Sequence, residues 1–203
     1  LLLQSSQFIK MKIILSGGGT GGHIYPAIAI ANALKQYDPV TDILFVGASG
    51  KMEMKKVPEA GYPIVGLEIR GLQRRQMLQN VSLPFRLMAS LWKAGKILRD
   101  FQPDVVVGTG GYAGAPILYM AARHKIPTLI QEQNAAAGLA NKILANYVDT
   151  VCVAYASMEA YFPAKKIVHT GNPTRAGLMH LGEKREAAYT YFGLVPGKKC
   201  LLV

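Results

Sequence analysis

The fold is decided by residues 12–35, which read KIILSGGGTGGHIYPAIAIANALK. An apolar strand over Lys12–Ser16 leads into a glycine-rich loop, and a helix follows from about His23 to Tyr37. Pro26 falls in the first turn of that helix, where the missing backbone N–H has no helical partner to lose. A strand, a glycine-rich loop and a helix in this order are typical of the first unit of a parallel α/β sheet.

The same order of elements recurs along the chain, because short apolar runs alternate with amphipathic helical stretches. We expect further strands at residues 43–46, 64–67, 105–107, 128–130, 150–153 and 167–168. We expect further helices near residue 51, over 83–101, up to about 124 and over 139–146. The pattern predicts an α/β fold with a Rossmann-like, doubly wound parallel sheet.

Composition limits the classes of protein to which the chain can belong. Half of its 203 residues are hydrophobic, which is enough for a domain core and excludes a disordered chain. Two distant cysteines indicate a reducing compartment, and no apolar run reaches the roughly 18 residues of a membrane span. Lys and Arg number 23 against 12 Asp and Glu, and this formal charge of +11 indicates an anionic partner.

The first glycine-rich loop, Gly17–Gly22, lies where an α/β sheet binds phosphate. Its G-x-G-x-x-G spacing also occurs in dinucleotide-binding proteins, which hold a ribose with an acidic residue at the end of the second strand. Here that strand ends in Val46-Gly-Ala-Ser49, without an acid. An ATP-type P-loop is excluded too, because His23 and Ile24 replace the required Lys and Ser or Thr.

A second loop, Gly108-Thr-Gly-Gly-Tyr-Ala-Gly114, follows a different strand. Loops at the carboxyl ends of parallel strands can converge on one crevice, so the pair predicts a ligand site and not merely two tight turns. Four ordered motifs make the pattern specific: GGGTGGHIYPAIAIANAL from residue 17, GTGGYAGAP from 108, QEQNAAAGLANK from 131 and TGNPTR from 170. On these motifs, residues 11–175 resemble the N-terminal half of the bacterial peptidoglycan N-acetylglucosaminyltransferase family, the MurG family.

The resemblance implies an inverting glycosyltransferase of the two-domain GT-B type. It would transfer N-acetylglucosamine from UDP-GlcNAc to the C4 hydroxyl of undecaprenyl-pyrophosphoryl-MurNAc-pentapeptide, which converts lipid I into lipid II. Contacts with UDP-GlcNAc would come from Thr20, Gly21, Gly22, Asn134 and Arg175. Contacts with the lipid-linked muramyl-pentapeptide acceptor would come from Gly18, Gly19, Gly110, Gly111 and Tyr112. Tyr112 could equally pack against the loop without touching the acceptor.

Two side chains are candidates for the base that an inverting transfer needs. His23 opens the first helix, where its imidazole can face the reacting groups or bond only to the backbone; the resemblance favours the catalytic role. Glu132 lies in a loop after an apolar strand, where it can act on the acceptor or cap a helix. Gln131 replaces the His that the family pattern leads us to expect, so we assign it no catalytic role. We expect no cofactor, and no metal, since His124, His169 and His180 lack ligand spacing.

The segment Ile69–Arg99 carries seven basic residues and no acidic one. In its helix the 3.6-residue period predicts a core stripe of Leu87, Leu91, Ala94 and Leu98. The predicted membrane face consists of Phe85 and Trp92 with the cations Arg86, Lys93 and Lys96, extended by the loop residues Leu72, Met77, Leu78 and Val81. Apolar anchors ringed by cations are typical of an anionic membrane surface, although a second packing partner would also explain them. We expect a peripheral protein on the cytoplasmic side of the inner membrane and no nucleic-acid partner.

The chain divides by pattern into three parts. Residues 1–10 precede Met11 and are interpreted as an upstream extension, residues 11–172 as the acceptor-binding domain, and residues 173–203 as a linker with the first elements of a donor domain. We therefore expect the chain alone to lack transferase activity. Two alternatives stay open: a dinucleotide-dependent oxidoreductase domain, and a non-catalytic module that binds membrane or nucleic acid.

Overall fold

The computed structural model describes residues 10–69, 83–174, 185–195 and 197–201. The strands are Lys12–Ser16 (β1), Asp42–Ala48 (β2), Ile64–Leu67 (β3), Val105–Gly108 (β4), Thr128–Glu132 (β5), Thr150–Val153 (β6) and Ile167–His169 (β7). The helices are Gly21–Tyr37 (α1), Glu53–Glu59 (α2), Leu83–Phe101 (α3), Ala115–Arg123 (α4), Leu139–Leu144 (α5) and Arg185–Tyr191 (α6). The chain forms two compact units, one that ends at Pro173 and contains the sheet, and one that begins at Thr174 and contains α6.

The sheet is parallel throughout, with the strand order β3-β2-β1-β4-β5-β6-β7. From β1 the chain moves outward to β2 and β3, then returns to the other side of β1 with β4. Open α/β sheets bind ligands at such a reversal, in the crevice beyond the carboxyl ends of the strands. The predicted Rossmann-like, doubly wound parallel sheet is confirmed, and both glycine-rich loops flank its switch point.

Helices cover both faces of the sheet, which explains why its strands are nearly continuous apolar runs. On one face Ile13 and Leu15 of β1 pack in a core cluster with Ile24 and Ile28 of α1. On the other face Ile14 belongs to a larger cluster that includes residues of α3 and α4. Alternate side chains of one strand therefore enter different cores, as the two-residue period of a strand requires.

The predicted core stripe of α3 is correct only in its second half. Ala94 and Leu98 are buried, whereas Leu87 is 41% exposed. From Pro84 onward, Ser90 is the first buried residue of α3, so the described side chains of the helix meet the core only from that turn. A helical period identifies which residues share a face, but it does not show where along its length the helix leaves the sheet.

Candidate functional site

The two glycine-rich loops pack against each other beyond β1 and β4. A Cβ atom built on Gly111 would lie 2.2 Å from the carbonyl oxygen of Gly18, and one on Gly17 would lie 2.0 Å from Thr109 Oγ1. Gly110 and Gly111 also have φ angles of +99° and +80°, which disfavour any side chain. Glycine is therefore required for this close approach, and the loops converge as predicted.

The first turn of α1 provides the groups suited to an anion. Its N-cap, Thr20, is extended (φ −145°, ψ 157°), and the Thr20 side chain makes no capping hydrogen bond. Gly21 and Gly22 are the first two helical residues, so their N–H groups have no helical carbonyl to bind. Backbone N–H groups and the positive end of the helix dipole together favour a phosphate here. The helix begins two residues before the predicted start at His23.

His23 is held between the loops through its Nδ1 atom. Nδ1 lies 3.0 Å from the carbonyl oxygen of Thr109 and 3.3 Å from Gln133 Oε1. Thr109 Oγ1 in turn donates a hydrogen bond to the carbonyl oxygen of His23 at 2.7 Å. Both neighbours of Nδ1 are acceptors, so in the neutral ring Nδ1 carries the proton and Nε2 keeps its lone pair. The half-buried imidazole therefore presents a proton acceptor.

Gln133 orients this imidazole, a role that its place in the sequence does not reveal. The side chain is buried, and its Nε2 donates to the carbonyl oxygen of Thr109 at 2.7 Å and to Gln131 Oε1. These two acceptors fix the amide so that Oε1 faces His23. Gln131 is also buried. The only sequence signal for Gln133 was its place inside the QEQN motif.

Glu132 is buried, and two N–H donors satisfy each of its carboxylate oxygens. Oε1 accepts from the backbone and side-chain nitrogens of Asn134 at 3.0 and 2.9 Å. Oε2 accepts from Gly138 N and Asn141 Nδ2, both at 3.0 Å. This geometry favours a carboxylate that shapes the loop between β5 and α5 over one that takes a proton from a substrate. The catalytic role of Glu132 stays a prediction.

Of three other predicted site residues, the structure describes Asn134 and Tyr112 but not Arg175. Asn134 is exposed, and its amide is tied to Glu132. Tyr112 is half-buried and packs on the first loop, since a Cβ built on Gly19 would lie 3.3 Å from Tyr112 Cε1. Arg175 lies outside the described residues. The structure thus brings the two loops, His23 and Asn134 to one end of the sheet.

A buried acid reaches the end of β2 from the following helix, although the strand itself ends without one. Glu53, the first residue of α2, accepts hydrogen bonds from Ala48 N at 3.0 Å and from Gly19 N at 3.1 Å. Its carboxylate is buried against the backbone and cannot meet the ribose of a dinucleotide. The dinucleotide alternative is therefore disfavoured on structural grounds as well.

The predicted membrane face of α3 is partly exposed as expected. Phe85 and Trp92 are 78% and 69% exposed, and Met88, which was not predicted, is 69% exposed between them. Lys96 is exposed, but Lys93 Nζ donates a hydrogen bond to the carbonyl oxygen of Gly66 at 2.7 Å. Lys93 is therefore anchored to β3, and Arg86 is half-buried. The loop residues Leu72, Met77, Leu78 and Val81 lie outside the described residues.

A model of the glycosyltransferase family 28 N-terminal domain matches residues 13–153. The chain belongs to this family. The family 28 domain contains both glycine-rich loops, His23, Gln133 and Glu132. None of the helices that the structure describes is long and apolar enough to cross a membrane.

Curated relatives of this family 28 chain carry one shared name: UDP-N-acetylglucosamine--N-acetylmuramyl-(pentapeptide) pyrophosphoryl-undecaprenol N-acetylglucosamine transferase. The relative from Amoebophilus asiaticus is 57% identical over 195 residues, which are 95% of this chain and 54% of the relative. The relative from Bacteroides fragilis is 52% identical over 193 residues, which are 95% of this chain and 51% of the relative. The chain thus spans about half the length of the curated relatives it matches.

Solved structures agree with this assignment. The crystal structure of Acinetobacter baumannii MurG is similar with a TM-score of 0.69 and 28% identity, over 81% of this chain and 46% of that chain. A UDP-GlcNAc 2-epimerase from Methanocaldococcus jannaschii has a TM-score of 0.59 at 16% identity, over 91% of this chain and 53% of that chain, which shows the fold alone. The resemblance to the N-terminal half of the MurG family is confirmed.

Proposed function

We propose that this chain is the acceptor-binding half of an inverting N-acetylglucosaminyltransferase that converts lipid I into lipid II. The observation that carries the proposal is the His23 imidazole, which is fixed through Nδ1 by Thr109 of the second glycine-rich loop and by Gln133, with Nε2 left as an acceptor. The names of the relatives supply the substrates: UDP-GlcNAc as donor and the lipid-linked muramyl-pentapeptide as acceptor.

The proposed reaction uses the site as follows. Nε2 of His23 accepts the proton of the acceptor's C4 hydroxyl, and that oxygen attacks the anomeric carbon of N-acetylglucosamine. The bond from this carbon to the UDP oxygen breaks as the new bond forms on the opposite face, so configuration inverts and UDP leaves with the electron pair. Anionic oxygens of the substrates are stabilised by the N–H groups of Gly21 and Gly22 at the N-terminus of α1. Thr109 and Gln133 hold the ring in the tautomer that the step needs.

We further propose that the exposed apolar face of α3 binds an anionic membrane surface from the cytoplasmic side. Phe85, Met88 and Trp92 provide the apolar anchors, and Lys96 provides a nearby cation. Aromatic rings and cations on one helix face suit the boundary between acyl chains and acidic headgroups. Such an attachment would place the site near a substrate whose lipid is embedded in the bilayer.

The catalytic proposal is tested with His23→Ala and His23→Asn in a transferase that joins this chain to a donor-binding half. We expect either change to lower kcat by about 10²–10⁴, the usual size of a positioned base, with a much smaller effect on UDP-GlcNAc binding. The Asn amide can still donate to Thr109 but has no basic atom, so it separates ring position from proton transfer. His124→Ala changes an exposed histidine at the end of α4 and is the matched control.

Steady-state kinetics across pH, with each substrate varied in turn, distinguish a base from a phosphate ligand. Loss of a base removes a titration from the rate profile, whereas loss of a phosphate contact mainly raises the acceptor KM. Near-normal kcat and kcat/KM in His23→Ala would reduce His23 to a packing role and refute the proposal.

A further inference from the structure

Glu53 is a buried carboxylate that the proposed reaction does not use. It is fully buried at the start of α2, and its two oxygens accept hydrogen bonds from Ala48 N and Gly19 N. Among the described residues it takes part in no ion pair, so backbone N–H groups hold its charge. A charge is costly to bury unless it is hydrogen-bonded. Here the hydrogen bonds of the carboxylate tie the backbone of the first loop to the end of β2.

Two glycines make room for this side chain. A Cβ atom built on Gly18 would lie 2.1 Å from Glu53 Oε1, and one on Gly47 would lie 2.6 Å from Glu53 Cγ. Neither distance is compatible with a side chain at these positions unless Glu53 moves. Gly18 is therefore required by the carboxylate beneath it, whether or not a ligand also approaches the loop.

The hydrogen bond from Gly19 extends the influence of Glu53 to both loops. Gly19 has a φ of +88°, and its N–H is committed to Glu53, so it is not a donor for the ligand. The adjacent carbonyl oxygen of Gly18 contacts Gly111 of the second loop, and the ring of Tyr112 packs on Gly19. One carboxylate thus links the ends of β1 and β2. Through the first glycine-rich loop it also supports the second loop, which follows β4.

We propose that Glu53 is a positioning residue for the transferase. It holds the first loop in the shape that seats the acceptor's diphosphate, and it leaves the N–H groups of Gly21 and Gly22 to the donor, UDP-GlcNAc, as the resemblance implies. This inference rests on the proposed function of the loops. It assigns to Gly19 a conformational role in place of the direct contact that the family resemblance implied.

The anchor itself is tested without substrate, by amide hydrogen exchange in the 203-residue chain. Glu53→Gln keeps the size of the side chain but replaces one accepting oxygen with an N–H₂ group that faces an N–H donor. We expect faster exchange at whichever of Gly19 and Ala48 faces the N–H₂ group, while amides of β5 and β6 keep their protection. Glu59→Gln, on the exposed side of the same helix, is the control and leaves all of them unchanged. Unchanged exchange at both Gly19 and Ala48 in Glu53→Gln would refute the anchor.

The functional consequence is tested in the enzyme that joins this chain to a donor-binding half. We expect Glu53→Gln to raise the KM for the lipid-linked acceptor by roughly tenfold or more, since a lost hydrogen bond to a charged group costs at least that factor. If Glu53→Gln does not fold, Gly47→Ala displaces the same side chain from β2 and is expected to raise the same KM. An unchanged acceptor KM with a lower melting temperature would show a merely structural role. Absence of transfer in the parent enzyme would instead refute the proposed function, while the exchange result would stand.

Discussion

Replacing Glu132 with Ala tests whether its carboxylate acts as the catalytic base or shapes the loop between β5 and α5. The change removes both oxygens and leaves four N–H donors, on Asn134, Gly138 and Asn141, without their acceptor. Asn134 and Gly138 are exposed, so their N–H groups can turn to water, which leaves Asn141 Nδ2 as the buried donor. An unsatisfied buried donor costs about 1–3 kcal/mol, so we expect the free energy of unfolding to fall by about 2 kcal/mol. For a domain of this size that corresponds to a decrease in Tm of roughly 4–8 °C.

Thermal unfolding of the 203-residue chain, followed by calorimetry and circular dichroism, measures this decrease. Glu132→Gln keeps one accepting oxygen, so we expect it to unfold between Glu132→Ala and the parent. Glu159→Ala removes an exposed carboxylate from the same unit and is the matched control, with a Tm within about 1–2 °C of the parent. Urea unfolding supplies an independent free energy with the same expected order.

An unchanged Tm in Glu132→Ala would support the catalytic role for Glu132. A base that faces substrate contributes little to stability, so Glu132→Ala would then unfold within about 2 °C of the parent while its transfer rate collapsed. A positioning carboxylate instead predicts lower stability, and a Glu132→Gln enzyme whose rate depends on pH as the parent's does. Either outcome decides between the two assignments.

The remaining predictions concern the α3 face and the two thiols. We expect the double variant Phe85→Ser, Trp92→Ser to bind more weakly to vesicles that contain anionic lipid, with an unchanged Tm because both side chains are exposed. The control is Tyr37→Ser, which changes a side chain that is 93% exposed on α1. Unfolding of the double variant would show that the two aromatic side chains belong to the core. Burial raises the pKa of the Cys152 thiol, so it holds less reactive thiolate at a given pH, and we expect rapid alkylation of exposed Cys200 and slow alkylation of Cys152 until the chain unfolds. Equal alkylation rates in the folded chain would contradict the second expectation.

Much of the fold was predictable because it depends on local patterns. Apolar runs, glycine-rich loops and helical periods locate the strands and helices of the first unit to within a few residues. The sequence predicts the start of α1 two residues late, because glycine disfavours helix interiors although Gly21 and Gly22 are tolerated in a first turn. Leu87 was placed in the core because a period carries no information about where α3 diverges from the sheet.

The contacts that build the site depend on residues far apart in sequence. Gln133 and His23 are separated by 110 residues, and Glu53 and Gly19 by 34. No local period or spacing relates the members of either pair. The motifs therefore indicate which segments assemble, while only the fold shows which side chains face the crevice and which support it from behind.

Burial distinguishes residues that face the crevice from residues that support it more clearly than residue type does. Glu53 and Glu132 both have the chemistry of a base. Each is buried, however, and its carboxylate oxygens accept hydrogen bonds from N–H groups around it. A base must approach the hydroxyl that it deprotonates, and neither carboxylate can do so without leaving the bonds that shape the loops. His23 is half-buried, is held through one ring nitrogen, and keeps the other as an acceptor. Of these three side chains, His23 is therefore the one whose removal is expected to slow chemistry without first disrupting the site.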